Sequence, residues 1–238
     1  MSDEWENIQE LPSAGPGELH VWRIKIDPGV ESIVFRHLSA DEIKRASSLT
    51  RPSRRSEFIV SRGALRGLLA GYLGDPPASL DIVYSKDGKP AVKKPGCPLK
   101  FNVSHSGDIL LIAFSHQAEV GVDVERIDSD SLDEGTISRS LHPAEMKVFR
   151  DLKDDEGRQF FFECWTRKEA FLKLLGCGFA IEPAEIDLTR NGPDTYGEGK
   201  DKVYFIDLPT IQGYCSSVAT DARPVRARFY TPASCILG

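Results

Sequence analysis

Asp123 and Glu125 stand two residues apart in the stretch "VGVDVE" (120–125), where valine occupies every other position. That period is the period of a β-strand with one apolar face, so both acids lie on the other face, with Cα atoms about 6.6–6.8 Å apart. Like charges at that separation repel when partly shielded from water. A hard divalent cation would turn the repulsion into binding. Mg²⁺ takes oxygen ligands at about 2.0–2.1 Å, usually one or two carboxylates with waters and substrate phosphates. A bare Asp-x-Glu also reads as the solvated edge of a strand.

A third acid lies on the helical run at 160–179, "FFFECWTRKEAFLKLLGCGF", which ends in the helix-stopping Gly176 and Gly178. Trp165, Glu169 and Lys173 recur at every fourth residue and so form one stripe. Glu169 is either a third metal ligand beside a phosphate-neutralising lysine, or half of an ordinary surface pair with Lys173 worth about 0.3–0.5 kcal/mol.

Anion-binding chemistry has its own candidates. Residues 101–104 read as a strand and "SHSGD" (104–108) as a tight polar turn, where Ser104, His105 and backbone N–H groups suit an anion. Adjacent Ser104 and His105 with no G-x-S-x-G elbow do not make a hydrolase triad. "KDGKP" (86–90) is a lysine-bearing turn, and 43–58 is the most basic stretch, with Lys44, Arg45, Arg51, Arg54 and Arg55.

These residues sit on elements that occur twice. "SADEIK" (39–44) resembles "HPAEMK" (142–147), both helix starts, with Ser39 a cap. "SRGALRGLLAG" (61–71) resembles "TRKEAFLKLLG" (166–176), both ends of long helices, and the apolar strands at 108–115 and 214–221 close each half. The reading is an α+β fold of two similar subdomains, 1–118 and 119–238, joined near 116–119, with a site at their junction.

The remaining composition narrows the class. A net charge of −6 in 238 residues argues against nucleic acid as a partner. The five scattered cysteines, with no C-x-x-C pair, point to reduced thiols in a cytoplasm rather than to disulfides or zinc. The polar start and the lack of a long apolar run leave no signal for a membrane.

Four motifs in this order, "GKP" (88–90), "FNVSHSGD" (101–108), "GVDVE" (121–125) and "WTRKEAFLKLLGCG" (165–178), resemble the 4′-phosphopantetheinyl transferases of the two-subdomain, Sfp type. The resemblance implies an intramolecular pseudo-dimer, active as a monomer. It implies transfer of phosphopantetheine from coenzyme A to a serine of an apo acyl or peptidyl carrier protein, releasing 3′,5′-ADP, with Mg²⁺ as cofactor. Asp123, Glu125 and Glu169 match the metal ligands. Lys173 matches the lysine on the phosphates, and Lys168 the one preceding the glutamate. Ser104 and His105 match the nucleotide-end turn, Lys89 the adenine-side loop, and Arg45 a basic residue for the 3′-phosphate. Either Glu169 or a metal-bound water takes the serine proton. The chain departs from the pattern at Glu42, where relatives carry a second basic residue that Lys44 would replace, and at Tyr84, where some carry arginine. A Mg²⁺-dependent nucleotide pyrophosphatase and a non-catalytic carrier-binding module are the competing readings.

Overall fold

The computed structural model describes residues 4–86, 88–128, 132–176, 181–189 and 194–238. In chain order the elements of the first half are β1 (Glu6–Ile8), β2 (Glu18–Lys25), α1 (Pro28–Val34), α2 (Ala40–Ser48), α3 (Pro52–Leu73), β3 (Ile82–Tyr84), β4 (Pro90–Val92), β5 (Leu99–Ser106) and β6 (Ile109–His116). The second half contains β7 (Val120–Arg126), α4 (Glu134–Ser140), α5 (Pro143–Asp151), α6 (Asp154–Leu175), β8 (Thr195–Tyr196), β9 (Val203–Ile206), β10 (Tyr214–Thr220), β11 (Arg226–Pro232) and α7 (Ser234–Leu237). The fold is α+β, as expected.

The two halves start their helices in the same way. The Ser39 hydroxyl accepts the Glu42 N–H while the Glu42 carboxylate accepts the Ser39 N–H, a reciprocal capping box that fixes the start of α2. At α5 the Glu145 carboxylate likewise accepts the His142 N–H, while the His142 ring nitrogen accepts the Ala144 N–H. Each nine-residue helix is followed by one of 22 residues, α3 or α6, ending on a left-handed glycine, Gly74 (φ 71°) or Gly176 (φ 61°). Gly178 and Cys177 lie outside the described residues.

Both capping glutamates are buried and meet a cation from the long helix that follows. Glu42 accepts from Arg66 Nε at 2.5 Å and from Arg62 Nε at 3.0 Å. Glu145, fully buried, accepts from Lys168 Nζ at 2.5 Å. Each cation also ties down a neighbouring segment: Arg66 donates to the Pro77 and Leu80 carbonyls, Lys168 to the Ser140 carbonyl at the end of α4. Glu42 is therefore an internal anchor of the first half, which accounts for the acid at a position where the resemblance leads one to expect a base.

The sheets cross the expected boundary. One has the order β1-β11-β2-β6-β5, the other β7-β10-β9-β8, with β3 and β4 a separate hairpin. The second-half strand β11 runs parallel to β2 and β1 and lies between them, and Leu237 of α7 is buried in the first half's core. A cut at 118/119 would thus leave the first sheet split at its β1–β2 position.

Alternation decides which core each strand enters. Trp22 and Ile24 of β2, with Leu110, Ile112 and Phe114 of β6, pack under α3. Leu19 and Val21, with Leu111 and Ala113, turn the other way and meet Val120, Val122 and Val124 of β7. That second cluster is the apolar joint between the halves. The opposite face of β7 carries Gly121, Asp123 and Glu125 and is pressed against α6. A Cβ at 121 would overlap the Ala170 carbonyl oxygen and the Leu174 amide nitrogen. Neither is a flexible side chain that could move aside. Gly121→Ala should therefore destabilise by about 1–3 kcal/mol or more and separate strand from helix. Chemical denaturation checks this, and an unchanged midpoint would contradict the close packing.

Candidate active site

The site is assembled where β5, β7 and α6 meet. Asp123, 2% exposed, accepts on Oδ1 from Lys173 Nζ at 2.6 Å and from Ser104 Oγ at 2.9 Å. Its other oxygen, Oδ2, is buried and has no hydrogen-bond partner among the described residues. Glu125 accepts on Oε2 from Ser106 Oγ at 2.8 Å. Burial raises the pKa of Glu125, and the Asp123 charge raises it further. Glu169 on α6 is shifted the same way, first by burial, then by Asp123 and Glu125, with Lys173 opposing. The three acids thus share one electrostatic field. Lys173 of α6 pairs with Asp123 of β7; no ion pair with Glu169 occurs among the described residues.

A cavity of about 510 Å³ opens beside this cluster, lined by Lys89, Asn102, Arg139, Trp165, Glu169 and Lys173 among others. The stripe expected from the spacing of Trp165, Glu169 and Lys173 faces it. Lys89 reaches its wall by donating to Glu119 Oε2 at 2.9 Å and to the Leu174 carbonyl at 2.8 Å.

Three sequence expectations change. Residues 104–108 are not a single turn: β5 runs on to Ser106, and only Gly107 and Asp108 join it to β6. The reason is pairing, since His105 and Ser106 face Leu110 and Ile109 in an antiparallel ladder. Ser104 therefore points from a strand, and its hydroxyl is committed to Asp123. Lys168 is 0% exposed, its ammonium donates to Glu145 and to the Ser140 carbonyl, and it is not among the residues that line the cavity. Burial pulls its pKa down, while Glu145 opposes this. Arg45 lies on the rim of a separate depression of about 480 Å³ with Glu42, Arg62 and Tyr84. There Arg62 stacks over the Tyr84 ring at 5.2 Å and donates to its hydroxyl.

His105 sits on the opposite face of β5 from Ser104. Partial burial lowers its pKa; Glu57 opposes the shift, and Lys173 and Arg54 add to it. Arg54, on the first turn of α3, is thus a neighbour of His105 that the sequence offered only as one base in a run. Asn102, Ser106 and Arg139 were not singled out at all. The even-numbered polar positions 102, 104 and 106 carried the signal, but only for a strand read two residues further.

Donor chemistry suits a hard cation: three acidic side chains, and a buried carboxylate oxygen without a partner among the described residues. Among the described residues, no three acidic, histidine or cysteine groups close around one point. No described helix is long and apolar enough to cross a membrane.

Comparison with known proteins agrees with the motifs. The family described as the 4′-phosphopantetheinyl transferase superfamily matches residues 119–215. The chain is 36% identical over 181 residues to the 4′-phosphopantetheinyl transferase HetI of Nostoc sp., covering 74% of this chain and 76% of that protein. It is 35% identical over 158 residues to the 4′-phosphopantetheinyl transferase AcpT of Salmonella typhimurium, covering 64% and 76%. To the L-aminoadipate-semialdehyde dehydrogenase-phosphopantetheinyl transferase of Homo sapiens it is 25% identical over 189 residues, covering 74% and 60%.

Proposed function

The chain belongs to the 4′-phosphopantetheinyl transferase superfamily and is an enzyme of that class, and from this premise we propose that it is of the two-subdomain, Sfp type, takes coenzyme A as donor and requires Mg²⁺. The observation that carries the metal is the acid cluster: Asp123, Glu125 and Glu169 gathered beside one cavity, with burial and the neighbouring acids raising the proton affinity of the two glutamates, and with one buried Asp123 oxygen that has no partner among the described residues. Asp123, Glu125 and Glu169 would hold the ion. When bound, it would draw charge from the coenzyme A pyrophosphate.

In the transfer, the carrier serine oxygen forms a bond to the β-phosphorus. The bond from that phosphorus to the bridging oxygen breaks, and the electron pair leaves with 3′,5′-ADP. Glu169 lines the cavity and has a raised proton affinity, so it is the chain's own acceptor for the serine proton. Lys173 has its ammonium at the same point and offsets charge on the phosphates. His105, with Arg54 nearby, takes the 3′-phosphate, and Lys89 the adenine side. Both halves of the site lie in one chain, which supports a monomer as the working form.

The test uses coenzyme A labelled in its pantetheine part and a panel of apo carrier proteins. Label is expected on a carrier serine with an equal amount of 3′,5′-ADP, blocked by EDTA and restored by Mg²⁺. Labelled phosphopantetheine free in solution would mean a pyrophosphatase instead. Carrier binding without transfer would mean a docking module.

A further inference from the structure

β5 and β7 lie side by side, yet belong to different sheets, and side chains make the joint. Asn102 Oδ1 accepts the Val122 N–H at 3.0 Å, Ser104 Oγ the Val124 N–H at 3.4 Å, and Ser106 Oγ the Arg126 N–H at 3.1 Å. The offset is 20 residues at every rung, so the strands run parallel in a fixed register. Each rung also meets the side chain of the residue before the amide it caps. At the first rung that residue is Gly121, which has none. At the second, Ser104 donates to Asp123 Oδ1 at 2.9 Å; at the third, Ser106 donates to Glu125 Oε2 at 2.8 Å.

A serine hydroxyl has one proton to give. Ser106 gives it to Glu125 while the Arg126 amide holds the oxygen in place, so the rotor is fixed from both sides. We propose that Ser106 is a positioning residue for phosphopantetheine transfer: anchored on the Arg126 amide, its hydroxyl aims the Glu125 carboxylate into the acid cluster beside Asp123. The inference rests on the reading of that cluster as the Mg²⁺ site. Glutamate has three side-chain torsions, and without a fixed donor its carboxylate would sample several directions. Ser106 is thus the donor that fixes this carboxylate, from the first half of the chain. The Arg126 end of the rung is exposed, so water can replace the lost bond there and the variant should fold.

The experiment uses the full chain and Mn²⁺ alone, with free ion followed by electron paramagnetic resonance, on wild type, Ser106→Ala and Ser106→Thr. Partners that orient a metal-binding carboxylate are worth about 10–100-fold in metal affinity. Ser106→Ala should weaken Mn²⁺ binding by that factor with its melting temperature nearly unchanged. Ser106→Thr, which keeps the hydroxyl on a strand-favouring side chain, should restore binding. In turnover, Ser106→Ala should need more Mg²⁺ for half-maximal rate, with the KM for carrier unchanged. Equal Mn²⁺ binding in wild type and Ser106→Ala would overturn the proposal, as would equal loss in both variants. A wild type that binds no Mn²⁺ would instead remove the metal reading and this inference with it, while label transfer to a carrier would still stand.

Discussion

Changing Glu169 to glutamine should cut kcat by roughly 10²–10⁴-fold, the range for loss of a positioned general base, while leaving the chain at least as stable as wild type. The two halves of that expectation have the same cause. Glu169 is held near Asp123 and Glu125, and burial and both neighbours raise its pKa above the usual glutamate value. A glutamate with a higher pKa folded than unfolded binds protons more tightly in the native state. Its contribution is therefore favourable at low pH and is lost as pH rises through the raised value. At neutral pH the charge is a burden on the fold that the glutamine variant does not carry. Function needs that charge, both to take the serine proton and to help hold the cation. Rapid-quench measurement of carrier labelling, beside a urea titration at pH 7, reads the two effects separately. Near-normal kcat in Glu169→Gln would remove this residue from the reaction; a large fall in stability would mean that its role is structural.

The acid cluster was legible because strand and helix periodicity act locally. Alternating valines put Asp123 and Glu125 on one face, and the four-residue spacing put Glu169 and Lys173 on one stripe. Ser39 and Gly176 announced helix ends by chemistry that needs no tertiary context. What stayed hidden depended on contacts between distant segments. Gly121 looked like one more strand residue until α6 lay against it, and Ser106 looked like turn chemistry until β6 extended the ladder that keeps it in β5. The return of β11 to the first sheet left no local trace, since a strand carries no mark of the sheet it will join. Lys168 was the hardest to read. It neighbours Glu169 in sequence, but on a helix adjacent side chains point about 100° apart.

That divergence makes the last expectation testable against the family pattern itself. Lys168→Ala should destabilise the chain by about 3–5 kcal/mol, the range for leaving one member of a buried ion pair without its partner. For a chain of this size that corresponds to a fall in Tm of roughly 6–20 °C. The cause is Glu145. Its carboxylate is 0% exposed and also accepts the His142 N–H at 2.9 Å and the Leu188 N–H at 3.2 Å, so it cannot turn to solvent without uncapping α5. Removing the ammonium would strand that charge and release the Ser140 carbonyl at the cavity wall. The double variant Lys168→Met with Glu145→Gln removes both charges, keeps an oxygen for the cap and fills the space, so it should recover most of the lost stability. Below its melting temperature, Lys168→Ala should keep a KM for coenzyme A close to that of the wild type. A lysine that touched the phosphates would give the opposite pattern: a raised KM, an unchanged Tm and no rescue by the second substitution. Thermal melts and coenzyme A saturation curves on the same three proteins decide between a cation that binds ligand and one that, like Arg66 in the first half, holds its helix to a capping glutamate.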